Sequence, residues 1–209
     1  SKFSGSKPLA FWTDLLPFQS VLRQPTVRQF FEGLFFILPP GSRAHFYRAL
    51  GVSRWILPVL TKDQWRNVEE ICRDIEPFTR TRQSYLALRL RGVFVGDLFY
   101  DSFLKDHAAP TLDLGSARFR RSLRRSVALF VFWWDWLDRN PISGVATTHM
   151  TYRLGILPRI AAARGLDSIQ FGWSMLNRST RENLTEGPDY GKYRDLFSEL
   201  TKSERDTAL

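Results

Sequence analysis

Cysteine and histidine are scarce in this chain of 209 residues, and each scarcity removes a class of function. A single cysteine, Cys72, excludes an internal disulfide and any zinc or iron–sulfur centre built on cysteine pairs, and makes a reducing, cytoplasmic compartment the expectation. The 3 histidines, His45, His107 and His149, lie far apart in sequence, so no metal site is expected. No run of 18 uncharged apolar residues occurs: the most hydrophobic stretch, Val127 to Trp134, stops at Asp135 and is too short to span a bilayer. The first residues lack the charged-then-apolar pattern of a secretory leader. The glycine-rich dinucleotide and phosphate loops, the His-Glu-x-x-His zinc motif, the Gly-x-Ser-x-Gly elbow and the Cys-x-x-Cys pair are all missing, and no cofactor is expected.

What remains is an ordinary folding chain with a strong positive bias. Hydrophobic residues make up 44%, aromatic 14% and charged 24%, which excludes intrinsic disorder and predicts one large domain or two small ones. A net charge of +9 and a pI near 10.1 favour an anionic partner. Of the 30 basic residues 24 are arginine, whose planar fork suits phosphate and carboxylate, although a GC-rich genome produces the same bias.

Residues 1–8 read as a polar lead-in, followed by a short strand from Phe11 into a Pro-broken turn. The apolar segment Arg28 to Leu38 fits helix and strand equally, and Ser42 can cap a short helix that ends at Gly51. Thr61 and Gln64 form a capping-box pair that opens a helix with Trp65, Val68, Ile71 and Cys72 on one face, closed by Pro77. A second amphipathic segment runs from Thr79 to Arg91. A very short apolar element between Gly92 and Gly96 then precedes a helix over Asp97 to Asp106. Phe119, Leu123, Val127, Phe130, Trp133 or Trp134 and Leu137 recur at helical spacing, predicting a long helix from Ser116 to Arg139 ended by Asn140-Pro141. Residues 143–149, 151–164 and 168–171 then read strand, helix, strand, with Gly165 as the helix stop. That is the βαβ order, and it predicts an α/β fold with a parallel sheet flanked by helices. Residues 190–209 read as a polar helix with Tyr193, Leu196, Phe197 and Leu200 as its apolar stripe.

Three constellations carry possible chemistry. His149 falls where a strand ends and a helix begins, the place where α/β sheets bind ligands; it serves there as a base or donor, or simply caps the helix. Asp97 and Asp101 are four apart on one helix face: Asp97 at the Gly96 junction is a candidate base for a sugar hydroxyl or a plain helix cap, and Asp101 a solvated or Arg-paired group. Arg118, Arg121 and Arg125 share a face of the long helix. They make either a docking surface for an anionic membrane or glycan, or a solvated face. Nucleic acid is disfavoured as a partner, since no stacking aromatics are interleaved with these arginines. The cluster Trp133, Trp134 and Trp136 reads as core and interface packing.

The stretch Arg91-Gly92-Val93-Phe94-Val95-Gly96-Asp97-Leu98-Phe99-Tyr100-Asp101-Ser102-Phe103-Leu104 resembles bacterial surface-carbohydrate biosynthesis proteins, glycosyltransferases of the two-Rossmann-domain (GT-B-like) type that show "RGI-x-IGDLIYD-x-YLR". Thr148-His149-Met150-Thr151-Tyr152-Arg153-Leu154-Gly155-Ile156-Leu157-Pro158-Arg159-Ile160-Ala161 is similar to the same proteins' "SH-x-x-Y-x-x-G-x-x-x-RIA". The likeness covers about residues 45 to 209 and extends to the closing segment from Lys192-Tyr193-Arg194. It implies a Rossmann-like acceptor-side domain over 9–189, with 190–209 leading toward a second, donor-binding domain beyond this sequence. It further implies a nucleotide-sugar donor, a glycan or lipid-linked glycan acceptor, and work at the cytoplasmic face of the inner membrane. Asp97 or His149 would act as base, while Gly96, Tyr152, Arg153 and Arg159 position acceptor or phosphate. The contrasting expectation is a non-catalytic basic module that docks on anionic membrane or nucleic acid through the Arg118 to Arg125 face.

Overall fold

The computed structural model describes residues 9–11, 54–56, 58–148, 150–171, 176–180 and 201. The lead-in over 1–8, the segment Arg28 to Leu38, the Ser42 helix, His45, His149 and the helix over 190–209 lie outside the described residues. The order of elements is β1 (Leu9–Phe11), β2 (Arg54–Ile56), α1 (Lys62–Asp74), α2 (Arg82–Leu86), β3 (Arg89–Leu90), β4 (Val93–Phe94), α3 (Gly96–His107), α4 (Ala117–Arg139), β5 (Gly144–Thr147), α5 (Ile156–Ala163), β6 (Asp167–Phe171) and β7 (Leu176–Ser179). Short 3-10 turns cover Glu76–Thr79 and Tyr152–Gly155.

Helix α4 is the axis of the core. Every residue from Ser126 to Trp133 is buried, so the middle of the helix is covered on all sides, as expected of a segment apolar around its whole circumference. The predicted stripe of Phe119, Leu123, Val127, Phe130, Trp133 and Leu137 is buried throughout. Ser116 caps the helix, its hydroxyl accepting from Phe119 N at 3.0 Å, and the cap at the other end is Asn140. The Val127 to Trp134 stretch is thus the centre of a core helix, and no helix among the described residues is long and apolar enough to cross a membrane.

Helix α1 packs along α4 and begins with the predicted capping box. Gln64 N donates to Thr61 Oγ1 at 3.2 Å and Thr61 N donates to Gln64 Oε1 at 2.9 Å. Gln64, itself buried, also gives Nε2 to Asp135 Oδ2 on α4 at 2.9 Å. Arg124 pairs with Glu69 and lies over the Trp65 ring at 4.7 Å. The segment Thr79 to Arg91 is divided between α2 and the first strand of a hairpin rather than forming one element. That hairpin, β3–β4, turns on Arg91 and Gly92, both at positive φ (48° and 82°), the backbone twist that a tight two-residue turn requires.

The strands form three small sheets: β1 with β2 in parallel, β3 with β4 antiparallel, and β5-β6-β7. In the last, β5 and β6 are parallel and joined by α5, the predicted βαβ unit, while β7 is antiparallel to β6 and makes the sheet mixed. The fold is a helix-rich α/β arrangement with small mixed sheets. The extended parallel Rossmann-like sheet is not seen among the described residues, and the reason lies in the distribution of apolar residues. Strands of such a sheet are buried on both faces and run apolar throughout, whereas β6 (DSIQF) and β7 (LNRS) alternate between covered and wetter positions. Among the described residues no unbroken buried stretch is longer than Ser126 to Trp133 in α4.

Two glycines close the packing. A Cβ on Gly96 would stand 2.2 Å from Tyr85 O and 2.4 Å from Leu86 O, and one on Gly155 would stand 2.1 Å from Met150 O. Both obstacles are backbone carbonyls in covered positions, which cannot swing aside. Gly96→Ala is therefore expected to destabilise the fold by about 2–3 kcal/mol in denaturant melts, from overpacking alone.

Candidate functional site

The two stretches singled out by resemblance meet at the N-terminal turn of α3. Backbone carbonyls leave no room for a side chain at Gly96, which starts the helix, and the amides of Val95 and Gly96 both donate to Leu88 O, at 3.0 and 3.1 Å. The helix thus begins locked to the α2 end of the β3–β4 hairpin. Asp97 makes no side-chain cap to its own helix. Instead it accepts a bidentate pair from Arg159 on α5, with Nη1 to Oδ1 and Nη2 to Oδ2 both at 2.6 Å. Arg159 Nη1 also donates to Phe94 O at 3.1 Å, and the guanidinium lies 5.5 Å from the centre of the Phe94 ring. The Arg159 side chain is 3% exposed and that of Asp97 31%, so the pair is closed on the arginine side and open on the carboxylate side.

The cluster continues down α3. Arg153 donates to Asp106 Oδ2 at 2.7 Å, and Lys105 lies 4.2 Å above the Tyr152 ring. Tyr152 holds a positive φ of 54°, a conformation that costs a non-glycine residue about 1–3 kcal/mol and persists only where the surroundings enforce it. The close approach at Gly155 supplies that enforcement, since the turn carrying Tyr152 and Arg153 is pressed against Met150 O and Leu98. Gly96, Asp97, Tyr152, Arg153 and Arg159 are therefore one assembly along α3 and its facing turn. His149 lies outside the described residues; the chain reaches it two residues after β5 ends at Thr147.

Asp101, one turn beyond Asp97, is half-buried and bonds to no other described residue. Burial raises its carboxyl above the usual range and the neighbouring Asp97 raises it further, with Arg159 opposing. Within the assembly it is the carboxylate that no guanidinium clamps. Sequence reasoning assigned Asp101 to a solvated or Arg-paired role because spacing shows which face a residue occupies but not who faces it; it also missed Asp106, Lys105 and Phe94 as contributors. Pairings across 62 residues (Asp97 with Arg159) and 47 residues (Asp106 with Arg153) leave no periodic trace.

No family model, curated protein or solved structure matches this chain. The chemistry of the assembly is accordingly read from its geometry. Both terminal nitrogens of Arg159 are committed to Asp97, so this arginine holds a carboxylate in place, and the outer edge of that carboxylate and the free Asp101 are what face solvent. Elsewhere, Arg118 and Arg121 are exposed on the first turns of α4 and Arg125 is half-buried beside them, apart from the α3 assembly. The Trp cluster packs as expected. Trp133 is buried, and Trp134 is flanked by the guanidinium groups of Arg91 and Arg164, at 5.0 and 4.1 Å. Burial, reinforced by Glu69 and opposed by Arg124, pushes the Cys72 thiol up to about 12, the direction that disfavours the thiolate.

The unequal exposure of the ion pair predicts unequal mutant effects. Asp97→Ala strands a buried guanidinium and is expected to cost about 3 kcal/mol or more. Arg159→Met leaves a carboxylate that water can reach and is expected to cost less, with the double variant recovering part of the loss in a denaturant-melt cycle. Asp101 binds its proton more readily folded than unfolded, so it lowers stability above its folded-state titration and ceases to do so as pH falls below the ordinary carboxylate range. Asp101→Asn should thus raise the melting temperature at neutral pH and leave it unchanged near pH ~3.

Proposed function

We propose that the chain is the acceptor-side part of a glycosyltransferase that moves a sugar from a nucleotide-activated donor to a growing surface glycan at the cytoplasmic face of the membrane. The observation that carries this reading is the junction of the two stretches that resemble such enzymes: they lie far apart in sequence, yet Asp97 and Arg159, one from each, form the bidentate pair around which the candidate site is built.

The chemistry asks for a group that takes the proton of an acceptor hydroxyl as that oxygen attacks the anomeric carbon and the nucleotide leaves. Among the described residues the candidates for it are Asp97 and Asp101; His149, outside the described residues, is the third that the sequence offers. Asp97 is oriented by Arg159 and presents its outer edge. Asp101 is unclamped and has the raised proton affinity that suits a base. Arg153, held by Asp106, and Tyr152, held on a strained turn, lie further along α3 as positioning groups for acceptor or phosphate. The donor and its nucleotide would be bound chiefly by a partner domain of the Rossmann-like pair, and the parallel β5–α5–β6 unit is the element through which this chain would belong to such a pair. No step requires a metal or a resident cofactor.

The protein in the full length encoded by its gene, assayed against a panel of nucleotide-sugars by release of free nucleotide, is expected to turn over one donor. Asp101→Asn, Asp97→Asn and His149→Ala then separate the roles. The base is the residue whose loss lowers kcat by about 100-fold or more while the melting temperature is retained. A folded full-length protein that touches no donor would overturn the reading.

A further inference from the structure

The end of the molecule where α4 begins has a different character from the α3 assembly. Gln64 reaches Asp135 while Glu69 pairs with Arg124, so α1 and α4 run antiparallel, and the last turn of α1 with the 3-10 turn after it lies beside the start of α4. The Tyr85 and Phe119 rings meet edge to face at 5.2 Å, which brings α2 to the same end. Arg73, Arg80, Arg82, Arg118, Arg120 and Arg121, all exposed, are thereby brought to this end, against the carboxylates of Glu70, Asp74, Glu76 and Asp113. Glu69 is already occupied by Arg124.

Among these charges Phe78 is 55% exposed. It follows Pro77 in the 3-10 turn, with its amide bonded to Ile75 O at 2.9 Å and the Thr79 hydroxyl bonded to Glu76 O at 2.7 Å, so the ring is held outward on a braced turn. An apolar ring projecting from a cationic surface matches the boundary of an anionic bilayer, where phosphates meet the arginines and the ring enters the acyl region. A nucleic acid would use the charges but would gain little from one ring without a second beside it.

We propose that this end, with Phe78 as the inserting residue and Arg118 and Arg121 as principal phosphate contacts, is a docking surface for an anionic membrane. The proposal is independent of the transferase reading, because vesicle binding requires neither donor nor turnover.

The test is cosedimentation of the protein with phosphatidylcholine vesicles and with vesicles containing about 30% phosphatidylglycerol, at low and high salt. Binding is expected only with the anionic lipid and should weaken as salt rises. Arg118→Glu with Arg121→Glu should lower the partition coefficient about 20-fold or more. Phe78→Ser should lower it about fivefold without altering the salt dependence. All three residues are exposed, so melting temperatures should stay at the wild-type value, which separates lost docking from lost folding. Equal binding to neutral vesicles, no binding to anionic ones, or binding indifferent to either variant would overturn the proposal. So would binding to double-stranded DNA as tight as to anionic vesicles with no effect of Phe78→Ser, which would identify a surface that reads charge alone.

Discussion

Arg159 has to be neutralised where it sits, and that requirement organises the part of the molecule that holds the candidate site. A guanidinium removed from water needs a counter-charge close by and acceptors for its terminal nitrogens, which Arg159 has although its Nε is buried without a partner. Asp97 supplies the charge and Phe94 O an additional acceptor. Because these partners come from the β4 end of the hairpin and from the first turn of α3, while Arg159 comes from α5, one side chain ties α5 to two neighbouring elements that lie 65 and 62 residues earlier. Moving any of them would leave a buried cation short of a partner. The inaccessible side of the pair does structural work, and its accessible side is what a ligand would meet.

The helical frame was largely legible in the sequence because its signals are local. The Thr61–Gln64 box, the Ser116 start and Asn140 end of the long helix, and the strand–helix–strand order around Gly165 appear as read, since capping groups and apolar spacing act within a few residues, although the start of the helix expected over 151–164 is a 3-10 turn. The sheet was less legible. Alternation in β6 and β7 is weak over four or five residues, and nothing local announces that β7 pairs antiparallel to β6. The division of Thr79 to Arg91 into a helix and a hairpin strand was also hidden, because the turn relies on Arg91, a residue with no preference for positive φ.

The candidate site divides along the same line. Gly96 and Asp97 announce a junction, and resemblance adds Tyr152, Arg153 and Arg159, but the partner of each arginine is decided by how α3 faces the turn before α5. That arrangement depends on Gly155 and Gly96, where an absent side chain, invisible to pattern reading as a packing device, permits backbone against backbone. The exposed arginines of α4 were visible as a charge run. Their association with Phe78 depends on the antiparallel pairing of α1 with α4, which is a tertiary fact.

Gln64 leads to a different kind of consequence. Its side chain answers a local demand, closing the cap of α1 with Thr61 three residues away, and a distant one, bonding Asp135 across 71 residues. The first bond can form during the nucleation of a single turn, whereas the second requires a long loop to close and carries its entropy. Since one amide makes both, the geometry adopted early by the isolated cap already presents Nε2 in the direction from which α4 must arrive. The register of α4 along α1 in the folded structure is thus the one in which a single amide completes both its cap and its bond to the facing helix.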